Sequence, residues 1–354
     1  MAATTGTGGI DLDPKYDDFD FPIVASVKVN GHPGHLTPEQ NAAVKQLRES
    51  LEKQGYTDRL DSLTLLRFLR ARKFDLVATE KMFVDAEQWR KDTKLDELLP
   101  TWEYPEKEQI FQYYPQYYHK TDNDGRPIYI EQLGKVDIAA MNKITTSERM
   151  LTNLAVEYER VADPRLPACS RKAGHLLETC CTIMDLKGVG LGKAPSVYGY
   201  LKSASNMSQN YYPERLGKLF VINAPWGFST IWGAIKGWID PVTVQKIHIL
   251  GSGYQKELLQ HVSPDALPKA FGGTCECPGG CMFSDIGPWT DPQYARPAKW
   301  EKKADGAAAA APAAATTIET NQENPQAPAA DSQAPAPVAA EEGAKADAPA
   351  PHAA

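Results

Sequence analysis

The chain has 354 residues, 42% of them hydrophobic, and a formal charge of −7, which is length enough for a large core in one or two domains. Residues 301–354 carry eight acidic and three basic side chains, so residues 1–300 hold only about −2 and show no basic excess of the kind that binds nucleic acid. No stretch approaches 18 consecutive apolar residues, and the start MAATTGTGGIDLDPKYDDFD has neither basic cluster nor apolar run, so no bilayer span and no secretory signal are expected. A soluble, cytosolic chain is expected.

Residues 1–35 are rich in Gly, Asp and Pro without apolar period, and an irregular lead is expected there. TPEQ (37–40) is a helix start, with Thr37 as cap, Pro38 in the first turn and Gln40 reaching back. Helices are predicted over roughly 38–54, 61–72 and 76–92, with Val44, Leu47, Leu51, Leu65, Leu66, Leu69, Met82, Ala86 and Trp89 as their apolar positions. They make a small helical unit over 36–103.

From residue 104 the pattern changes. YYHKTDNDGRPIYIEQL reads as two strands around an Asn-Asp-Gly turn, and SERMLTNLAVEYERV (147–161) as a capped helix. ETCCTIMDL (178–186), KLFVINA (218–224) and QKIHIL (245–250) read as strands with helices between them, which predicts an α/β domain over 104–297 with a mainly parallel or mixed sheet. Beyond it, from 298, the chain is a tail. After Trp300 there is no Phe, Tyr or Trp, and 22 of the last 54 residues are alanine, interrupted by seven prolines. Such a tail cannot bury a core and is expected to be disordered.

FSTIWGAIKGWIDP (228–241) stands apart. Phe228, Ile231, Trp232, Ile235, Trp238 and Ile239 fall on one helical stripe, while Gly233 and Gly237 each weaken the helix by about 1 kcal/mol relative to alanine. A core helix is one reading. A lid over an apolar cavity is the other: the tryptophans suit a boundary between wet and apolar surroundings, and about 20 Å of helix is too short to cross a membrane but can lie on one.

Several candidate sites fail on spacing. GVGLGK (188–193) misses the dinucleotide fingerprint and, with Ala194 after the lysine, the Walker loop. DNDG (122–125) starts like a calcium loop but lacks its twelfth-position glutamate and reads as a hairpin turn. No G-x-S-x-G elbow exists, and nothing marks an enzyme. CECPGGC (275–281) offers three thiols without the paired C-x-x-C spacing, with His261 as the nearby candidate for a fourth ligand. It is read as a Gly/Pro-rich loop with incidental free thiols and no metal.

DSLTLLRFLRARKFD (61–75), YYPQYYHKTDNDGRPIY (113–129), RLPACSRKAGHLLET (165–179), CTIMDLKG (181–188), SQNYYPERLGKLFVINAPWGFST (208–230), DPVTVQKI (240–247), LGSGYQKELL (250–259) and SDIGPW (284–289) resemble the CRAL-TRIO lipid-binding family. The resemblance runs from about residue 36 to 297. It implies a helical N-terminal unit, a mixed sheet flooring a lipid cavity, and a mobile gate helix in which Phe228, Trp232, Ile235 and Trp238 take part. It implies no enzyme and no cofactor, only exchange of a bound phospholipid: phosphatidylinositol at Arg72, Lys73, Glu214, Thr243 and Lys246, and phosphatidylcholine at Tyr118, Tyr129, Tyr158, Cys180 and Thr182. Cys180 departs from the family pattern, which has serine there. Gly273 matches a glycine near the moving parts, a hinge. The resemblance further implies a cytoplasmic monomer in transient contact with Golgi and other membranes, supporting secretory traffic, with lipid kinases as indirect partners. A same-fold carrier of a sterol or tocopherol-like lipophile, or an enzyme on phosphate esters, are the alternatives; charged Arg72, Glu214 and Lys246 would serve no uncharged ligand.

Overall fold

Thr37 opens the first helix through a reciprocal cap: its hydroxyl oxygen accepts the Gln40 N–H, and the Gln40 side-chain oxygen accepts the Thr37 N–H at 2.9 Å. In the computed structural model, which describes residues 9–26, 29–189, 194–228, 232–233, 236 and 241–301, this helix α1 spans Pro38–Lys53. Helices α2 (Ser62–Ala71) and α3 (Leu76–Asp92) are capped by the carboxylates of Asp61 and Asp75. Leu47, Leu51, Leu65, Leu66, Leu69 and Phe83 interlock as their core. Residues 9–26 form no helix or extended strand, yet Ile10 and Ile23 bury in the same core, and Asp17 pairs with Arg48 while accepting the Ser62 N–H at 2.6 Å.

Among the described residues the sheet has five strands in the order β1 (Gln116–Thr121), β2 (Pro127–Gln132), β3 (Cys180–Asp185), β4 (Leu216–Ile222) and β5 (Ile247–Ile249). β1 and β2 are antiparallel around the turn the Asn-Asp-Gly signal predicts, where Asp122 accepts the Asp124 and Arg126 N–H groups and Gly125 takes φ 90°. The other pairings are parallel. The crossovers carry α4 (Ser147–Arg160) and α5 (Leu166–Ala173) before β3, and α6 (Ala194–Tyr211) before β4; α7 (Gln255–His261) follows β5. The sheet is therefore mixed, with an antiparallel edge.

Its two faces differ, and the period-2 alternation of the strands is the cause. On one face Ile128, Ile130, Cys181, Ile183, Phe220 and Ile222 are wholly inaccessible beneath Leu258, Val262 and Phe271. Large apolar side chains buried this way contribute about 1.5–3 kcal/mol each relative to exposure. On the other face Thr182, Met184, Leu219, Ile247 and Ile249 stay partly accessible. This half-covered apolar floor sets the place of the site.

The helical unit is joined to the sheet domain by buried charge rather than by a linker. Arg90 pairs with Glu159, which also accepts the Tyr212 hydroxyl at 2.6 Å; Arg70 pairs with Glu178 at 3.0 Å; and the Trp89 and Tyr211 rings stack at 4.4 Å. Among the described residues, no helix is long and apolar enough to cross a membrane. Four residues of the GVGLGK stretch, 190–193, and the tail beyond 301 lie outside them.

Candidate functional site

Strand register alone brings three of the expected choline-site residues together. Tyr118 on β1 lies opposite Tyr129 on β2, Tyr129 opposite Thr182 on β3, and Thr182 opposite Leu219 on β4. The two tyrosine rings are 4.9 Å apart and tilted by 34°. Cys180 joins the same cluster, and its thiol meets the Tyr118 hydroxyl; burial pushes that thiol up to about 12, so it stays neutral. Cys181 points the opposite way, into the fully buried face, as the alternation predicts. Tyr158 projects from α4, half-buried, with its ring 4.9 Å from that of Tyr212.

Two charged residues in this region were not singled out in the sequence. Glu131 follows Tyr129 by two positions and so shares its face; its Oε1 accepts from the Tyr129 hydroxyl at 3.0 Å, the Gln116 amide at 3.3 Å and the Tyr114 hydroxyl at 3.4 Å. Desolvation nevertheless holds its carboxyl above the usual range. A carboxylate directly after the apolar run Pro127–Ile130 is a signal visible in the sequence. Arg165, buried at the start of α5, donates to Glu157 at 2.9 Å and to both carboxylate oxygens of Asp285 at 3.1 Å, and it stacks over Tyr118 at 4.5 Å. One face of the Tyr118 ring thus already carries a cation.

The raised carboxyl gives a pH prediction. Folded protein binds the Glu131 proton more tightly than unfolded chain, so the stability this group adds is present below the ordinary carboxyl range and lost as pH rises through the folded value. Glu131→Gln keeps an oxygen for the three donors and removes the buried charge. It is expected to raise the melting temperature at neutral pH by a few degrees, with the gain shrinking toward acid. A gain independent of pH in melting curves would show that Glu131 holds no shifted proton.

The residues expected at the inositol phosphate sit on loops at strand and helix ends. Arg72 closes α2, half-buried, and donates to the Ala71 carbonyl; Lys73 follows, exposed, at φ 53°. Glu214, at φ 59°, lies in the turn before β4 and pairs with Arg70 Nε at 3.9 Å, so Arg70 is its counter-ion. Thr243 sits in the short helix Pro241–Gln245, and its carbonyl accepts the Lys246 N–H at 3.1 Å. The Lys246 carbonyl in turn accepts the Leu219 N–H at 2.8 Å, which fixes its backbone against β4.

Of the residues expected in a gate helix, Phe228 and Trp232 are half-buried, and Ile235 and Trp238 lie outside the described residues. Trp226 and Val242, flanking that segment, are both strongly exposed. Gly273 is a point of close approach: a Cβ there would stand 1.9 Å from the Leu267 carbonyl oxygen, so no side chain fits without backbone movement. A separate cavity of about 460 Å³ lies at the seam with the helical unit, lined by Arg67, Arg90, Arg215, Glu159 and Glu178 among others, and none of the expected headgroup residues lines it.

One placement is corrected. His261 does not approach the thiols of 275–281; it faces Lys218 at 3.1 Å and packs against Phe220 and His248. The histidine that joins Cys275, Cys277 and Cys281 is His119, from β1.

The description "CRAL/TRIO domain" matches residues 111–273, and "CRAL/TRIO, N-terminal domain" matches residues 43–85. The Sec14 cytosolic factor of Schizosaccharomyces pombe is 57% identical over 274 residues, covering 77% of this chain and 96% of that protein. The phosphatidylinositol/phosphatidylcholine transfer protein SFH4 of Arabidopsis thaliana is 43% identical over 64% of this chain and 38% of that protein. A crystal structure of Sfh5 shares the fold, with a TM-score of 0.54 at 14% identity over 76% of this chain and 98% of that one. The chain belongs to the CRAL/TRIO family.

Proposed function

We propose that the protein is a phosphatidylinositol/phosphatidylcholine transfer protein, which carries one phospholipid at a time over the half-covered face of its sheet, beneath the gate segment. The observation that carries this reading is the difference between the two sheet faces: one is sealed, while the other presents Met184, Leu219, Ile247 and Ile249 beside a row of hydroxyls. Two acyl chains of about 16 carbons cost on the order of 25 kcal/mol to expose to water at about 0.8 kcal/mol per methylene. A carrier must therefore provide an apolar enclosure, and such a face supplies its floor. Kinship with proteins named for this activity supports the choice of ligand.

In this reading Tyr118, Tyr129 and Tyr158 surround a quaternary ammonium, with Cys180 and Thr182 toward its phosphate. Arg72 and Lys246 offer charged donors to an inositol phosphate and Thr243 a hydroxyl, while Lys73 and Glu214 complete that site's charge balance. The gate moves about Gly273, and exposed Trp226 and Val242 touch the bilayer as it opens. The protein works as a cytoplasmic monomer on Golgi and other membranes, serves lipid kinases indirectly, and makes or breaks no covalent bond.

Mass spectrometry of lipids extracted from the purified protein tests the reading, together with transfer between donor and acceptor vesicles. Phosphatidylinositol and phosphatidylcholine as the bound species, and transfer of both, are expected. A sterol or other uncharged lipophile, or no lipid at all, would overturn it.

Cys180 supplies a finer test. A thiol is a weak donor, whereas a serine hydroxyl donates and accepts well, and a hydrogen bond to a charged group is worth about 1.5–3 kcal/mol. Cys180→Ser is expected to recover part of that and raise phosphatidylcholine binding several-fold, leaving phosphatidylinositol binding unchanged. Cys181→Ser, on the sealed face, should cost stability and improve neither lipid. Equal behaviour of the two variants in competitive binding would reject Cys180 as a choline-site residue.

A further inference from the structure

We propose that His119, Cys275, Cys277 and Cys281 form a structural zinc site that ties the loop after the lipid-binding domain's last buried segment to the edge strand of the sheet. The four ligand atoms lie within 4.8 Å of one another, His119 Nε2 is 3.4 Å from Cys275 Sγ, and the Sγ atoms of Cys275 and Cys277 are 3.7 Å apart. A tetrahedral ion with Zn–S of about 2.3 Å and Zn–N of about 2.0–2.1 Å requires N···S edges of about 3.6 Å and S···S edges of about 3.8 Å. All four residues are of the types that structural zinc prefers, in a three-thiolate, one-imidazole set.

The local backbone is built to converge them. β1 is irregular between Tyr118 and Thr121, with Lys120 at φ 50°, and a bulge of this kind re-aims a side chain at a sheet edge. It leaves His119 wholly inaccessible and turned toward the thiols. On the other side, Cys275 is held by its N–H to the Leu267 carbonyl and its carbonyl to the Lys269 N–H, both at 3.1 Å. Pro278 and Gly279 then occupy the centre of a turn closed by the Gly280 N–H donating to the Cys277 carbonyl at 2.9 Å. Gly279 and Gly280 have φ of 74° and 94°, values that glycine adopts without strain. That turn brings Cys281 back to the cluster.

The second hydrogen bond of the histidine completes the pattern. His119 Nδ1 lies 3.2 Å from Ser284 Oγ, and the Ser284 hydroxyl donates to the Cys281 carbonyl at 2.9 Å. With its own proton spent there, Ser284 accepts from Nδ1–H, which leaves the Nε2 lone pair directed at the thiols. Ligating histidines are fixed by such an outer hydrogen bond, so Ser284 is a positioning residue. The site also bears on its neighbours: the Lys120 N–H donates to the Ile286 carbonyl at 2.7 Å, and adjacent Asp285 holds Arg165 over Tyr118.

The test uses the full chain, isolated without chelator or metal-affinity resin, and elemental analysis of the protein. One zinc per chain is expected. Cys275→Ser and His119→Gln should each fall below about a tenth of that, Ser284→Ala should bind zinc about 10–100-fold more weakly against a competing chelator, and Cys169→Ser should keep the full load. If the ligand variants do not fold, wild-type protein still decides. Chelated wild type should melt several degrees lower, recover with zinc, and take up cobalt with the thiolate charge-transfer and intense visible bands of a tetrahedral site. Wild type that carries little metal and takes up neither zinc nor cobalt while its thiols are reduced would overturn the proposal. So would a disulfide among the three cysteines in freshly isolated protein.

Discussion

Arg165→Met is expected to destabilise the protein by about 3 kcal/mol and to weaken phosphatidylcholine binding more than phosphatidylinositol binding. Arg165 is only 4% exposed and holds Glu157 and Asp285 while covering the Tyr118 ring. Removing one member of a buried ion pair costs about 3–5 kcal/mol because the partner is left in a poorly solvating site. The low end applies, since Arg160 still faces Glu157 at 2.8 Å and Asp285 is half-exposed and can turn to water. For a domain of this size the loss lowers the melting temperature by about 6–12 °C. The selectivity follows from the proposed placement of the two headgroups: Tyr118 loses the group that fixes its ring, whereas Arg72 and Lys246 lie on other elements. Arg160→Met, which removes a more exposed pair, is the control and should be nearly silent. A melting shift of Arg165→Met no larger than that of the control would refute the structural role given to this arginine.

The second large effect is expected at Lys246. Its backbone is pinned to β4 through the Leu219 N–H, so substitution of the side chain should leave the strand in place. An ammonium that donates to a phosphate contributes about 1.5–3 kcal/mol, and each 1.4 kcal/mol is a factor of ten in affinity. Lys246→Ala should therefore reduce phosphatidylinositol transfer by about 10–100-fold, with phosphatidylcholine transfer and the melting temperature held close to wild type. Parallel loss of both activities in a folded variant would remove Lys246 from the inositol site.

How much of this was legible in the sequence depended on the reach of each signal. The Thr37–Gln40 cap, the three helices of the N-terminal unit and the Asn-Asp-Gly hairpin rest on contacts between residues a few positions apart, and the sequence signals for each agree with the structure. The described part of the lead, 9–26 and 29–35, forms no helix or extended strand, as its composition predicts, but its burial of Ile10 and Ile23 depends on a core built by other segments. Glu131 was legible, since a carboxylate two positions after Tyr129 in the same strand shares its face. Arg165 was not: its partner Asp285 is 120 residues away, and nothing local announces the pair. His119 and Cys275 are separated by 156 residues, and they meet only because the loop after residue 272 returns to the edge of β1. His261, the histidine nearer to the thiols in the chain, is aimed at Lys218 by α7.

The unequal coverage of the two sheet faces has a thermodynamic meaning. Side chains such as Met184, Leu219 and Ile249 are only partly covered by the chain itself, and an apolar molecule resting on them would complete their burial. On the proposed function a phospholipid is then an exchangeable part of the hydrophobic core, and folding is completed by cargo. Anything that binds the folded state alone raises stability by mass action, so the empty protein is the least stable form in the cycle, and the denaturation midpoint reports lipid load. A chain built this way releases one lipid most readily where another is at hand to replace it, at a bilayer surface, and hardly at all in water between membranes.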